Sequence, residues 1–263
     1  SMQLNALRRG AHVIVATPGR MMDLIQQGHV SLSSIKMFIL DEADEMLKMG
    51  FQEDVEWILS HLPSERQTGL FSATIPPHIK KLVDKYLKQP AHIQIAANPT
   101  NKPKIDQYYT VVAPEKKLDA LDRFLAFKEY GGAIIFAKTK QDTIWLAEQL
   151  ATRGYSAEAL NGDLKQTQRE RVVSLLKKGV INVVVATDVA ARGLDIDRID
   201  LVINYELPQD RESYVHRIGR TGRAGRKGES VIILTPREKS RLRELERIAQ
   251  GTISATTPPT MTE

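Results

Sequence analysis

Short apolar runs along the chain alternate with stretches in which apolar residues recur every three or four positions. Val13-Ile14-Val15, Phe38-Ile39-Leu40, Gly69-Leu70-Phe71 and Ile93-Gln94-Ile95 predict strands in the first part of the chain. Between the second and third of these, Phe51, Val55, Ile58, Leu59 and Leu62 fall on one face of a helix. The second part repeats the scheme, with strands expected at 133–136, 157–160, 183–186, 201–204 and 231–234. Strands that are largely apolar along their length, separated by helices, point to an α/β fold with parallel sheets covered on both faces.

Punctuation divides this pattern. The stretch 98–103 holds two prolines among polar residues and reads as an extended linker between two domains, 3–97 and 104–250. Near the end, Thr235, Pro236 and Glu238 predict a capped helix start, with Leu242, Leu245 and Ile248 on its apolar face. The tail 251–263 is rich in Thr and Pro and is expected to be disordered. A length of 263 residues suits two such domains.

Composition narrows the classes. No apolar run is long enough to span a bilayer, so no membrane partner is expected, and a cytoplasmic location fits. The chain has no cysteine, which excludes a disulfide framework and thiolate metal sites. The net charge of +5 favours polyanions only modestly. Its distribution is more telling, because Arg217, Arg220, Arg223, Arg226 and Lys227 crowd one glycine-rich segment. A solvated loop is the plain reading of such a run.

Ligands of open parallel sheets collect at the carboxyl ends of strands, and polar segments stand at three such ends here. Asp41-Glu42-Ala43-Asp44 supplies carboxylates that can hold hydrated Mg²⁺ and orient a water, or simply complement the positive end of the next helix. Ser72-Ala73-Thr74 offers hydroxyls that can bond to neighbouring carboxylates, or cap a helix before Pro76-Pro77. In the segment 187–195, Arg192 can meet phosphate where Gly193 lets the backbone come close, and Asp195 can accept from a sugar hydroxyl. A capped turn with a surface ion pair would look the same. A fourth constellation, 216–223, spaces arginines three apart with glycines between, which suits either an anion site or arginine fingers on a phosphoryl group.

Taken together and in this order, these segments resemble the DEAD-box family of RNA helicases, from about Leu4 to about Gln250. Thr17-Pro18-Gly19-Arg20 matches an RNA-contacting segment, and 41–44 matches the tetrapeptide that names the family. Ser72-Ala73-Thr74 matches its coupling motif. Ala133-Ile134-Ile135-Phe136 with Thr139, then Gln166 and Arg169, match early motifs of its second domain. The run 43–51 looks most like bacterial cold-shock and ribosome-assembly members. The resemblance implies two RecA-like domains with parallel sheets, ATP and Mg²⁺ as cofactors, and RNA-stimulated ATP hydrolysis coupled to local duplex unwinding.

The same resemblance implies roles. Asp41 would hold Mg²⁺ through water and Glu42 would orient the attacking water. Asp44 would link to Ser72, Thr74 and His216, and Arg220 and Arg223 would reach the γ-phosphate. Asp195, Asp44 and Gly193 would bind nucleotide, Asp195 at the ribose. Gln166 and Arg169 would couple the domains, and Phe136 would stack near the arginines. Thr17, Gly19, Arg20, Thr139, Thr187, Arg192 and Gly193 would line a path for single-stranded or short duplex RNA with little sequence preference. Asn161 stands where the family often has histidine.

One departure stands out. The chain has no Gly-Lys dipeptide, and hence no G-x-x-x-x-G-K-[ST] loop to cradle phosphates. The first RecA-like domain is therefore read as incomplete at its N-terminal side, and this chain alone as inactive. An unpaired sheet edge left there would invite self-association. The alternatives are an RNA- or protein-binding piece without catalysis, a DNA helicase of the same superfamily, and a nucleotide-binding enzyme of another class.

Overall fold

A computed structural model describes residues 2–95, 104–208, 210–247 and 252–260. The chain divides into two compact units, Ser1–Ile95 and Ala96–Glu263. The expected linker at 98–103 lies outside the described residues.

The first unit runs α1 (Met2–Arg8), α2 (Pro18–Gln26), β1 (Met37–Leu40), α3 (Ala43–Lys48), α4 (Gln52–Ser60), β2 (Gln67–Leu70) and α5 (Pro77–Tyr86). Strands β1 and β2 form a two-stranded parallel sheet in which Met37 faces Gln67 and Leu40 faces Leu70. Leu40 packs with Leu24, Val55, Ile58, Leu59, Ile79 and Leu82 in one apolar core. The 3.6-residue pattern of α4 is what turns Val55, Ile58 and Leu59 inward. Among the described residues nothing covers the opposite face: Met37, Ile39 and, just after β2, Phe71 are all more than half exposed.

Two expected strands of this unit do not form. Residues 13–15 and 93–95 are irregular, with Val13 80% and Ile95 92% exposed. Apolar β-branched residues favour extended backbone, but a strand exists only where a neighbour accepts its hydrogen bonds. Among the described residues neither segment has one.

The second unit runs β3 (Lys104–Val111), α6 (Lys117–Phe127), β4 (Ala133–Phe136), α7 (Lys140–Thr152), β5 (Ala157–Leu160), α8 (Gln166–Lys178), β6 (Val183–Ala186), α9 (Asp188–Ala191), β7 (Leu201–Asn204), α10 (Arg211–Ile218), β8 (Lys227–Leu234), α11 (Leu242–Glu246) and β9 (Ile253–Ala255). Its seven strands pair in the order β5-β6-β4-β7-β8-β3-β9, every pair parallel. All residues of β4, β6 and β7 are buried. Ile135, Val185 and Ile203 face one core together with Leu121 and Leu146 of α6 and α7. Ile134, Val184 and Val202 face a second core with Val172 and Leu176 of α8. Helices on both faces are what a continuously apolar strand requires.

The end of the chain corrects two expectations. The tail is not irregular throughout. Ile253–Ala255 pairs with Gln107–Tyr109 of β3, and Ile253 is buried. A rim of Thr and Pro hides one apolar anchor, and the edge of β3 offers the backbone partners that composition cannot reveal. The last helix also starts later than its capping residues suggest. Glu238 accepts from both the N–H and the hydroxyl of Thr235, at 2.8 Å each, but a turn and a 3₁₀ segment, Lys239–Arg241, intervene before α11. Leu242 and Leu245 are buried as its apolar face; Ile248 lies outside the described residues.

Candidate functional site

In the first unit the two strand ends are stitched together. Phe71 N–H donates to the Leu40 carbonyl at 2.8 Å, and Ala43 N–H donates to the Phe71 carbonyl at 3.0 Å. Between these bonds the chain turns at Glu42, whose φ of 51° and ψ of 44° place it in the left-handed region. That conformation costs about 1–2 kcal/mol for a residue with a Cβ. Strain of this kind gathers at functional positions. Asp41 and Glu42 are exposed at this turn, and the Asp41 carboxylate accepts the Glu42 N–H at 2.9 Å.

Asp44 behaves differently. Only 1% of its surface is exposed. Its carboxylate accepts the Thr74 hydroxyl at 2.7 Å, the Thr74 N–H at 3.0 Å and the Glu45 N–H at 3.1 Å. Its own N–H donates to the Ser72 hydroxyl oxygen at 3.3 Å, and that hydroxyl donates to the Thr74 carbonyl at 2.6 Å. Burial pushes the Asp44 carboxyl upward, but the hydrogen bonds from Thr74, Ser72 and Glu45 outweigh it and hold the group below the ordinary carboxylate value. The segments after β1 and β2 are thus locked to each other beneath an exposed pair of acids.

Thr17 precedes α2, and Pro18 opens that helix, where its missing N–H is no loss. Gly19 and Arg20 follow in the first turn. The Arg20 guanidinium meets Asp23 and the Gln3 side-chain carbonyl.

In the second unit the expected residues gather at the carboxyl ends of β4, β5 and β6 and on α10. The hydroxyls of Thr139 and Thr187 cap α7 and α9. Thr139 and Asp142 form a reciprocal capping box, with the Thr139 hydroxyl donating to Asp142 at 2.6 Å. Asn161 is buried, and its amide donates to the Thr143 hydroxyl at 2.9 Å. On α8, Gln166 donates to Glu170 at 2.8 Å, and Arg169 donates to the Arg192 carbonyl at 2.8 Å. That bond fixes the turn before Gly193, whose φ of 67° suits glycine.

The arginines divide into two kinds. Arg220 and Arg223 fold back on their own turns, donating to the His216 and Gly219 carbonyls at 3.1 and 2.9 Å. Arg220 also reaches the Leu194 carbonyl at 3.1 Å, and Arg223 pairs with exposed Asp195 at 2.5 Å. Arg217, by contrast, is 2% exposed. It grips Asp188 through two bonds of 2.6 and 2.8 Å, donates to Asn204 at 3.1 Å and to the Glu206 carbonyl at 2.6 Å, and lies 4.9 Å from the Phe136 ring centre. The charge run alone suggested a solvated loop, whereas the resemblance put Phe136 near the arginines, as is seen for Arg217. Its bonds to Asp188, Asn204 and the Glu206 carbonyl were not foreseen. Phe136, Asp188, Arg192, His216, Arg217 and Arg220 line one shallow cleft of this unit.

The comparisons with known proteins address the whole pattern. A family model described as DEAD/DEAH box helicase matches residues 1–82, and one described as helicase conserved C-terminal domain matches 116–225. The crystal structure of a DEAD box protein from the hyperthermophile Methanococcus jannaschii is 45% identical, with a TM-score of 0.56, covering 94% of this chain and 67% of that one. The chain belongs to the DEAD-box RNA helicase family. Saccharomyces cerevisiae Dbp5 bound to RNA and ADP BeF3 is 32% identical, with a TM-score of 0.85, covering 94% of this chain and 66% of that one. The ATP-dependent RNA helicase DeaD of Buchnera aphidicola is 49% identical over 258 residues, which are 98% of this chain and 43% of that protein. The chain spans about half the length of the curated relatives it matches. Within the DEAD-box family, 41–44 is the naming tetrapeptide, and the α/β architecture with parallel sheets is that of the family's RecA-like domains.

Proposed function

We propose that this chain carries the water-activating acids, the phosphate-neutralising arginines and part of the RNA path of an ATP-dependent RNA helicase. In that enzyme, RNA-stimulated ATP hydrolysis drives local opening of short duplexes. The observation that carries the reading is the buried Asp44, which holds Ser72 and Thr74 beneath exposed Asp41 and Glu42. Such an anchor fixes the acids where a nucleotide can meet them. Asp41 is exposed at a strand end and suits outer-sphere contact with hydrated Mg²⁺, a cation that keeps several of its waters. Bound Mg²⁺ would neutralise phosphate oxygens. Glu42 orients water, Arg220 and Arg223 stabilise charge on the transferring phosphoryl group, and Asp195 accepts from the ribose.

Thr17, Gly19, Arg20, Thr139 and Arg192 contact RNA along phosphates and 2′-hydroxyls, which favours RNA over DNA with little sequence preference. Because the 263 residues contain no phosphate-cradling loop, the chain alone binds RNA in a salt-dependent way that ignores nucleotide, and hydrolyses little ATP. A chimera that joins the matching N-terminal segment of a DeaD relative to this chain tests the whole reading. It should show RNA-stimulated ATP hydrolysis. Arg220→Ala should lower kcat by about 10³-fold or more, as for arginine fingers elsewhere, and Glu42→Gln should abolish turnover with RNA affinity kept. Turnover unchanged by both substitutions ends the proposal.

Self-association is part of the same reading. Met37, Ile39 and Phe71 present an apolar face on a sheet whose outer edges are unpaired among the described residues, and a second copy of this chain is the occupant we propose. Light scattering should report mass rising with concentration, and Ile39→Lys should restore a monomer. A monomer at every concentration counts against it.

A further inference from the structure

Glu206 stands just after β7 and makes three contacts in three directions. Its N–H donates to the Phe136 carbonyl at the end of β4, at 3.3 Å. Its carboxylate accepts the Lys138 N–H at 2.7 Å, in the turn between β4 and α7. Its carbonyl accepts from Arg217 of α10 at 2.6 Å. Lys117 lies over the ring of neighbouring Tyr205, 5.0 Å from its centre. One residue therefore ties the Lys138–Thr139 turn to the buried guanidinium that braces α9 and α10.

We infer that Glu206 is a positioning residue that transmits RNA engagement at the Lys138–Thr139 turn to Arg217, and through it to the helix carrying His216 and to Arg220. This rests on the RNA contact proposed above for Thr139. The physical case is a short path of stiff contacts. The Lys138 N–H is a backbone donor and cannot move without its turn. The acceptor carboxylate and the carbonyl held by Arg217 belong to the same residue. Arg217 has five contacts and almost no solvent, so it has few ways to absorb a shift other than passing it to Asp188 and α10.

The test uses this chain, isotope-labelled, titrated with a single-stranded oligouridylate and followed at the Arg217 Nε–H, which donates to Asp188. RNA should shift that resonance together with the Lys138 amide. Glu206→Ala removes the carboxylate and keeps the backbone carbonyl. RNA affinity should fall by about tenfold, as for loss of one hydrogen bond to a charged acceptor, and the Arg217 response should vanish even at saturating RNA. Glu206→Gln restores an acceptor for the Lys138 N–H and should restore the response, which a general loss of packing would not allow. An Arg217 response in Glu206→Ala equal to that of the unsubstituted chain at saturation overturns the coupling and leaves the RNA reading standing. An unsubstituted chain that binds no RNA overturns both.

Discussion

The two units are built from the same kind of strand and treat it in opposite ways. In the second unit, β4 and β6 are four-residue apolar runs, β7 is one up to its final Asn204, and all three have both faces under helices and every residue buried. In the first unit, β1 is an equally apolar run, but Leu40 is buried while Ile39 is 56% exposed. Apolarity makes a strand eligible for burial on both faces; only neighbours accomplish it. The same sequence signal thus marks a finished core in one unit and an unfilled demand in the other.

Matched truncations give the sharpest break of that comparison. Ile135→Ala empties a site with no exposure and should cost the second unit about 2–5 kcal/mol. At concentrations low enough to keep the chain monomeric, Ile39→Ala should change the first unit by no more than about 0.5 kcal/mol. The chain has two tryptophans, Trp57 on α4 and Trp145 on α7, so each unit carries its own fluorescent reporter. Urea unfolding in Trp57→Phe and Trp145→Phe backgrounds reads them separately. Equal losses at the two positions would mean that Ile39 is covered in solution.

How much of this was legible follows from where each signal resides. The strands of the second unit from β4 to β7, and the apolar second half of β8, are largely apolar runs between helical patterns, and they could be read. Strand β3 could not, because Lys104, Asp106, Gln107 and Thr110 interrupt its apolar residues. Strand β9 depends on a single buried Ile and a distant edge. In the candidate site, acids and hydroxyls at adjacent strand ends made a link between Asp44 and Thr74 readable. The stacking of an arginine on Phe136 came from the family resemblance alone, and the ties of Arg217 to Asp188 and Asn204 were not readable, since residue type cannot distinguish a buried guanidinium from one in solvent. Val13 and Ile93 show the reverse failure, a local preference with no partner.

A middle-sized effect belongs to the turn that holds the arginines. A Cβ on Gly228 would lie 2.5 Å from the Thr221 hydroxyl oxygen and 2.6 Å from the Gly222 nitrogen. Thr221 is itself buried and donates to the Ile199 carbonyl at 2.8 Å. Backbone cannot yield as a flexible side chain can, so Gly228→Ala should cost about 1–3 kcal/mol and displace the turn between Arg220 and Arg223. Gly193→Ala tests a different term. An added Cβ there meets nothing within 4 Å, and the expected loss of about 1–2 kcal/mol comes from its positive φ alone. Unfolding followed at Trp145 measures both. A Gly228→Ala unit as stable as the unsubstituted one would show that the turn is not clamped.

The smallest effect is a pH dependence, and it separates the units by charge rather than by packing. The Asp44 carboxyl is held below its ordinary value of 3.8 because Thr74, Ser72 and Glu45 outweigh the cost of burial. A carboxyl whose folded pKa is depressed contributes stability that is fully present above its unfolded pKa. That contribution is lost as pH falls from there through the lower folded value. The first unit should therefore weaken on acidification below about pH 4, as reported by Trp57. Asp44→Asn keeps one acceptor oxygen but sets an NH2 against either the Thr74 donors or the Glu45 N–H, so it should cost about 1.5–3 kcal/mol at neutral pH and flatten the acid limb. The flattening is the decisive part, because any core defect lowers stability but only loss of this titration removes its slope. An acid limb unchanged in Asp44→Asn would assign the slope to other carboxylates and leave Asp44 as a packing residue.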